Sequence, residues 1–276
     1  MDLFSKDIKT RILKSTKEVI KNQIYDDYVD SLRSTLDELY RNIPDEKRIS
    51  YGRYYTIKIL SKYLYDLLIK EKISVCDFVT NVLESAADFR VRSLCLGIIS
   101  HYGLVDKKRL EDIVPIFKQF ATEDSWEARE NAAAFFQKII KAYPLEVKEY
   151  LTAFSTSKNP YIRRFSSETL RPVSENRWIH TNPSYSLSIL QNMFKESIAY
   201  PRTSVGNNLS DLAKKNPELI FQIIQKLVDS GNKNSYWIAY RACRNLVKTE
   251  PIRVMDVLQI NIYKYKKNEY RRTDYQ

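Results

Sequence analysis

The sequence has few of the residues that end helices or build metal and disulfide sites. Only 5 of its 276 residues are glycine while 43% are hydrophobic, a balance that favours long helices with few tight turns. It has 2 histidines, far apart, and 3 cysteines scattered without a Cys-x-x-Cys pair. We therefore expect reduced cysteines packed as small apolar residues and no structural zinc site.

Long apolar runs are missing as well. No stretch approaches the roughly 20 apolar residues that a membrane-spanning helix needs. The segment MDLFSKDIKTRI at the N-terminus lacks the apolar core of a signal peptide. These absences predict a cytoplasmic protein that does not enter a membrane.

Positive charge, by contrast, is abundant. The chain has 45 Lys and Arg against 34 Asp and Glu, a formal net charge of +11. A polyanionic partner is the natural inference, because each neutralised phosphate releases counterions and so adds to affinity. The alternative is a soluble surface that is basic without such a partner.

One phrase recurs five times between Phe89 and Lys248: a polar entry, a small or β-branched residue beside an arginine, then an apolar helix. The arginine position is filled by Arg92, Arg129, Arg163 and Arg202 and, in the fifth copy, by Tyr240, with spacings of 37, 34, 39 and 38 residues. Such a period with two helices per unit is typical of a HEAT-like helical solenoid. We therefore predict an all-α superhelix that works through a long, concave, basic groove.

Prolines indicate where the second helix of each repeat begins. Pro144, Pro183, Pro217 and Pro251 suit a first helical turn, where the missing N–H costs nothing. The segment 171–184 should form a longer loop than its counterparts. Three parts are expected: capping helices and a degenerate repeat in 1–86, HEAT-like repeats of the same continuous domain in 87–260, and a mobile basic tail in 261–276.

Helical periodicity separates a buried from an outward face in each repeat. In the second copy Ala128, Ala132, Phe135, Phe136 and Ile139 form the apolar stripe, whereas Trp126, Glu130 and Gln137 point away from it. Leaving an indole in water forfeits roughly 2–3 kcal/mol, so an outward tryptophan suggests a role. The alternative is that Trp126 packs on a neighbouring repeat.

Later copies direct further polar and aromatic side chains outward. They are Arg164 and Glu168 in the third copy, Asn207, Asp211 and Lys214 in the fourth, and Trp237, Arg241, Arg244 and Lys248 in the fifth. Stacked repeats would align them into one groove. Each one taken alone is more typical of a solvated helix face than of a site.

Five short fragments resemble the AlkC/AlkD family of bacterial DNA alkylation repair glycosylases, which are built from HEAT-like repeats. They are Trp126–Glu130, Tyr161–Arg164, Glu168–Pro172, Ser204–Asp211 and Trp237–Arg241, and together they span about residues 88–258. The AlkD branch has a tryptophan, an acidic residue four positions later and an arginine in the next repeat. Trp126, Glu130 and either Arg163 or Arg164 match these. Asn207 stands where that branch has a second tryptophan, and Thr169-Leu170 departs from the Gly-Thr of the AlkC branch.

The resemblance implies excision of cationic N3- or N7-alkylated bases from double-stranded DNA, by a monomer without metal or cofactor. A carboxylate would stabilise the oxocarbenium-like sugar, with Glu130 the first candidate and Glu168 and Asp211 alternates. Trp126 would offer a π-face to the cation. The DNA contacts implied are Arg163, Arg164, Asn207, Lys214, Trp237, Arg241, Arg244 and Lys248. Two alternatives stay open: a non-catalytic DNA-binding HEAT protein, and a scaffold for acidic protein partners.

Overall fold

The computed structural model describes residues 3–275, apart from the side chains of residues 49–51, and most of them are helical. The chain divides into two compact units, Met1–Ile139 and Ile140–Gln276. The division expected between residues 86 and 87 falls inside the first unit and stays a prediction. Residues 1, 2 and 276, which belong to the predicted end segments, lie outside the described residues.

Helices of the first unit follow one another through short connections. They are α1 (Lys6–Asn22), α2 (Asp26–Arg41), α3 (Asp45–Lys70), α4 (Val75–Ser85), α5 (Phe89–Gly103) and α6 (Leu110–Phe120). Side-chain oxygens cap the N-termini of several of these helices. Ser5 accepts from the backbone N–H of Ile8 at 3.1 Å, and Asp88 accepts from that of Arg90 at 2.7 Å. α3 is kinked at Gly52, whose φ of 33° suits a residue without a side chain.

Helix α7 (Trp126–Ala142) begins in the first unit and ends in the second. The remaining elements belong to the second unit. They are α8 (Pro144–Ser155), α9 (Pro160–Thr169), α10 (Pro183–Leu190), α11 (Ala199–Leu212), α12 (Pro217–Asp229), α13 (Lys233–Leu246), α14 (Pro251–Leu258), β1 (Ile262–Tyr265) and β2 (Asn268–Arg271). Within the described residues, no helix is long and apolar enough to cross a membrane.

The predicted second helices begin where the prolines placed them. Pro144, Pro183, Pro217 and Pro251 occupy the first turn of α8, α10, α12 and α14. The connection between α9 and α10 is longer than the others of this unit, as predicted, and it contains the 3₁₀ segment Ser174–His180. The helical pairing of the repeats is therefore confirmed.

In the second unit the helices form two layers. α9, α11 and α13 pack side by side, and α8, α10, α12 and α14 lie along them as a second layer. Fully buried side chains such as Leu209, Ile224 and Ile238 fill the space between. Each of them contributes roughly 1.5–3 kcal/mol through removal from water. The layer of α9, α11 and α13 carries most of the outward side chains singled out in the sequence.

The recurring arginine fastens one repeat to the next. Arg92, Arg163 and Arg202 each donate to a backbone carbonyl five or six residues earlier, as Arg163 does to Ser157 at 2.7 Å. Their remaining donors reach an acceptor just before the next repeat's first helix or in its first turn. Arg92 bonds Glu123, Arg163 bonds Glu196 at 2.6 Å, and Arg202 bonds Asn234 at 2.8 Å. The repeated arginine is thus part of the fold itself.

The sequence analysis was wrong to assign the arginine position of the fifth copy to Tyr240. The arginines stand four residues after the N-cap, as Arg163 does after Asn159, and the N-cap of α13 is Asn232. The equivalent residue is therefore Tyr236, whose hydroxyl donates to the Leu258 carbonyl at 3.0 Å. The run Tyr-Trp-Ile-Ala-Tyr offers two tyrosines one turn apart, so the pattern was aligned one turn late.

Residues expected to form a mobile tail instead contain an antiparallel hairpin, in which Tyr263 of β1 pairs with Tyr270 of β2. Tyr263 is fully buried, stacks on Tyr240 of α13 at 4.5 Å between ring centroids, and donates to the Tyr240 carbonyl at 2.9 Å. Alternation explains the difference, since Tyr263 and Tyr265 share one face of the strand. Residues 261–275 of the predicted tail therefore include a hairpin packed on α13, and the mobility expected for 261–276 stays a prediction.

Candidate nucleic-acid interface

Helix α7 presents an exposed indole one turn before a carboxylate. Its first turn is capped by Ser125, whose hydroxyl accepts from the Ala128 N–H at 3.2 Å. Trp126 is 62% exposed, as predicted, and Glu130 is half-buried. The predicted apolar stripe is buried throughout. Gln137 was predicted to point outward, but it is buried too. A residue on the polar face of one helix can still be covered by side chains of neighbouring helices.

The first unit also contains cations that the sequence analysis did not select. His101 of α5 stacks on Tyr65 at 5.7 Å. Burial, together with the positive charges of Lys138 and Lys62, lowers the pKa of His101 to about 4. Lysines of α3 and α7 therefore lie near one histidine. The sequence could have indicated this group of lysines, because Lys58 and Lys62 are spaced one helical turn apart on α3.

Asp211 of α11 is the centre of an ionic cluster in the second unit, although it is only 2% exposed. Arg171 donates to its Oδ2 from Nε at 2.9 Å and from Nη2 at 2.6 Å. Lys214 donates to Oδ1 at 2.9 Å and Arg244 at 3.4 Å. Burial alone would raise the pKa of Asp211, but hydrogen bonds from Lys214 and Arg171 outweigh it and lower the pKa.

Glu168 of α9 is joined to Asp211 through Arg171, which donates to Glu168 Oε1 at 2.8 Å. The Ser204 hydroxyl donates to Oε2 at 2.7 Å, and Arg164 approaches it at 3.5 Å. Burial alone would lower the pKa of Arg171, but the charges and hydrogen bonds of Glu168 and Asp211 outweigh it, so the pKa is raised. Arg171, which the sequence analysis did not choose, is therefore the residue that holds the two carboxylates together.

Arg241 and Arg244 of α13 share one acceptor. Asn207 Oδ1 accepts from Arg241 Nε at 2.9 Å and from Arg244 Nη1 at 2.6 Å, while Ser210 Oγ accepts from Arg244 Nε at 3.1 Å. Gly206 allows this approach, because a Cβ there would lie 2.9 Å from Arg241 Cβ. The two guanidinium groups are thereby held side by side in spite of their like charge.

Aromatic rings flank these arginines. Guanidinium carbons of Arg202 and Arg241 lie 4.7 and 5.6 Å from the ring centroid of Trp237, and that of Arg241 lies 5.9 Å from the ring of Tyr265. Burial raises the pKa of Tyr265, but a hydrogen bond with Arg244 and the nearby cations lower it below its usual value. The hairpin is thus built into the cationic surface.

Apart from Trp126 and Glu130 on α7, the predicted site residues separate into three groups in the structure. Asn207, Asp211, Lys214, Arg241 and Arg244 come together, with Trp237 beside Arg241 and with Lys248 exposed two turns after it. Arg164 and Glu168, expected to face outward, are buried, as is Asp211, because α9, α11 and α13 pack with their polar faces in contact. Arg163 is bound to Glu196 and two carbonyls and serves the fold.

Charge in this part of the second unit is unbalanced. The two carboxylates, Glu168 and Asp211, are accompanied by five cations: Arg164, Arg171, Lys214, Arg241 and Arg244. Such an excess attracts phosphate, and paired guanidinium groups suit its oxygens. Among the described residues, no three His, Cys, Asp or Glu side chains come together as metal ligands. The arrangement suits a phosphate-binding surface.

Comparison with known proteins also indicates a link to DNA. A family model described as DNA alkylation repair enzyme matches residues 58–246. The uncharacterized protein YhaZ of Bacillus subtilis (strain 168) is 25% identical over 245 residues, which make up 84% of this chain and 64% of YhaZ. The chain therefore spans a little less than two thirds of that relative's length.

Two solved structures are similar in fold. Alkylpurine DNA glycosylase AlkC of Pseudomonas fluorescens, bound to DNA containing an abasic site analog, has a TM-score of 0.56 and 20% identity, over 92% of this chain and 67% of that chain. AlkD2 from Streptococcus mutans has a TM-score of 0.58 and 18% identity, over 78% of this chain and 98% of that chain. These likenesses confirm the predicted fold class, an all-α superhelix of HEAT-like repeats.

Proposed function

The chain belongs to the DNA alkylation repair enzyme family, as the resemblance of its sequence predicted, and from that premise we propose that it is a DNA glycosylase for cationic alkylated bases. Its substrate would be duplex DNA carrying a base alkylated at N3 or N7. Such a base is positively charged before it leaves, so the bond to deoxyribose breaks without a strong general acid. The needs that remain are stabilisation of the sugar cation and a positioned water.

The observation that carries this proposal is the exposed indole of Trp126, one turn before the half-buried Glu130. The π-face of Trp126 would attract the cationic nucleoside, an interaction worth about 0.5–2 kcal/mol. The carboxylate of Glu130 would stabilise the oxocarbenium-like sugar. The electron pair of the N-glycosidic bond goes to the base nitrogen and neutralises it. Water bonds C1′, and its proton passes to Glu130.

Glu168 and Asp211 receive a different role in this proposal. A carboxylate has about four acceptor positions, and Asp211 already accepts four hydrogen bonds from Arg171, Lys214 and Arg244. Glu168 accepts from Arg171 and Ser204 and lies against Arg164. Both would serve as positioning residues that hold the guanidinium groups toward phosphate. Arg164, buried beside Glu168, would support them.

The proposed DNA contacts are accessible cations of α13 and of the residues that follow α11 and α13. Lys214 and Lys248 are exposed, and Arg241 and Arg244 are half-buried with donors still available beyond their bonds to Asn207, Ser210 and Asp211. These side chains would bind the sugar-phosphate backbone without reading sequence. Trp237, clamped by Arg202 and Arg241, would provide an apolar side to the same surface.

Glu130→Gln tests the chemistry. Methylated duplex DNA is incubated with the protein, and released bases are separated by chromatography. We expect the wild type to release 3-methyladenine or a similar base, and Glu130→Gln to slow release by about 10²- to 10⁴-fold, since the neutral amide cannot stabilise the sugar cation or accept the proton.

Glu127→Gln is the matched control, because it makes the same change three residues away on α7, where Glu127 accepts from the Ser125 hydroxyl at 2.9 Å. Its rate should stay close to that of the wild type. Equal rates for Glu130→Gln and the wild type would refute the role of Glu130.

A non-catalytic DNA-binding protein is the second candidate. The saturation of Asp211 by four donors favours it, because that carboxylate is committed to holding cations. This function predicts salt-dependent affinity for duplex DNA and no free base after prolonged incubation. The same chromatographic experiment separates the two candidates.

A further inference from the structure

The hairpin β1–β2 is anchored at its base and free at its tip. The Tyr240 hydroxyl donates to the Lys264 carbonyl at 2.9 Å and accepts from the Lys264 N–H at 2.8 Å. Tyr263 is buried against Tyr240, and Arg272 bonds Asp256 of α14 at 2.6 Å. The turn Lys266–Lys267, by contrast, is exposed. The element is therefore a rigid extension of α13 and α14.

The turn has an unusual choice of residues. Two-residue hairpin turns favour glycine, asparagine or aspartate, because one or both central residues adopt positive φ. Here the turn residues are Lys266 and Lys267, and Lys266 has a φ of 56°. A side chain in that region costs about 1 kcal/mol or more. Folding alone would favour glycine, so two lysines at this point indicate a use for their charge.

Most of the other charges on the hairpin are neutralised. Lys264 and Arg271 pair with Glu269 at 2.7 and 2.6 Å, and Arg272 pairs with Asp256. Within residues 3–275, Lys266 and Lys267 have no ion pair, and the Lys266 ammonium lies 5.8 Å from the ring of Tyr265. The positive charge of the hairpin is thus concentrated at its tip.

The tip also continues the cationic surface of α13. Tyr265, the residue before the turn, has its ring 5.9 Å from the guanidinium carbon of Arg241. Lys267 follows Tyr265 by two residues, so their Cα atoms are at most about 7 Å apart. Phosphates of one strand of duplex DNA recur about every 3.4 Å along the helix axis. A strand bound by Arg241 and Arg244 would therefore place its next phosphates near the tip.

We propose that the hairpin tip, Lys266 and Lys267, is a second phosphate-binding site that grips duplex DNA beside the segment held by Arg241 and Arg244. This inference extends the DNA binding of the proposed function and does not depend on base release. The hairpin acts as a fixed clamp: Tyr263 anchors it, Tyr265 joins it to the arginines, and the two ammonium groups bind the backbone without reading sequence.

The test uses the full chain and unmodified duplex DNA, with affinity measured across a salt series by fluorescence anisotropy. In the double variant Lys266→Gly/Lys267→Gln, glycine keeps the positive φ and glutamine keeps the size of Lys267, so the hairpin is preserved while both charges are lost. Losing two phosphate contacts should reduce the slope of log affinity against log salt by about 1.8, and lower affinity at ~0.1 M salt by about ten- to hundredfold.

Lys195→Gln/Lys226→Gln is the matched control. These exposed lysines border an apolar groove of about 760 Å³ that contains none of the clustered arginines. The control should keep the wild-type slope. An unchanged slope in the hairpin variant, or an equal loss in both variants, would overturn the proposal. If the hairpin variant keeps the wild-type salt slope and the wild type releases no base, both proposals are rejected. If the hairpin variant has a reduced salt slope but the wild type releases no base, only the glycosylase proposal is rejected.

Discussion

Single residues decide how closely like charges can be brought together on α11 and α13. Arg241 and Arg244 are tolerated side by side because Asn207 accepts from both and Gly206 leaves room for the Arg241 stem. Desolvation lowers the pKa of Arg241, and the charge of Arg244 lowers it further, while Tyr265 acts in the opposite direction. The cationic surface therefore depends on a glycine that carries no charge of its own.

Gly206→Ala is expected to disturb both stability and DNA binding. The new Cβ would lie 2.9 Å from Arg241 Cβ and 3.1 Å from its Cγ, so α13 or Arg241 must shift. Overpacking of this kind costs about 1–3 kcal/mol, against a gain of about 1 kcal/mol in helix propensity. We expect a lower urea midpoint and weaker binding of duplex DNA.

Thr203→Ala on the same helix is the control for helix propensity, since Thr203 bonds only the Ala199 carbonyl one turn before. It should leave DNA affinity unchanged. A Gly206→Ala protein that is more stable and binds DNA normally would show that the close approach imposes no constraint.

Burial of charge was the property that the sequence could not reveal at this scale. Periodicity correctly directs Glu168 and Asp211 away from the apolar core. It does not show that Arg171 and Ser204 would cover Glu168, or that Arg171, Lys214 and Arg244 would cover Asp211. Direction is a property of one helix, whereas burial depends on its neighbours. The sequence therefore predicted the direction of both carboxylates but not the cations that surround them.

Three of the repeats are each fastened to their successor by one arginine. Arg163 bonds Glu196, 33 residues ahead, and the Ser157 carbonyl behind it. Glu196 also accepts from the Ile198 N–H at 2.9 Å, and burial, which would raise its pKa, is outweighed by Arg163, so the pKa is lowered. The side chain of Glu196 is only 5% exposed, which makes this a buried pair.

Arg163→Met should therefore destabilise the protein by about 3–5 kcal/mol, because a buried carboxylate loses its partner. Chemical unfolding measures the change. The double variant Arg163→Met/Glu196→Gln should recover part of the loss, since no unpaired charge is left buried.

Arg253→Met provides the comparison, because the pair of Arg253 with Glu218 is exposed and screened by water, so its loss should destabilise the protein far less. Equal effects of Arg163→Met and Arg253→Met would contradict the fastening role of Arg163.

Elements were more predictable than their contacts. Proline at a first turn fixed the starts of α8, α10, α12 and α14, because its ring has few other places in a helical chain. The hairpin was missed, because its turn consists of lysines instead of the usual Asn-Gly signal. The spacing of the arginines predicted the repeat, but it did not identify the equivalent residue of the fifth copy, where Tyr236 stands in place of arginine.

Across the whole chain, an excess of 45 basic over 34 acidic residues favours association with a polyanion. The side chains proposed to contact phosphate are Arg241, Arg244, Lys214, Lys248, Lys266 and Lys267. For about six contacts, affinity for unmodified duplex DNA should fall about 10³-fold between roughly 50 and 200 mM salt. A salt titration of the wild type checks this, and affinity that is insensitive to salt would contradict phosphate-based binding.

The arginine fastening has a consequence for how such a chain can change in length. Arg92, Arg163 and Arg202 each join their own repeat to the start of the following one, through partners 31 to 33 residues ahead. Each of these three joints is therefore specified by residues of two consecutive repeats. Insertion or loss of one complete repeat leaves the other joints intact, so the protein can lengthen or shorten in evolution by whole modules while its folding remains local.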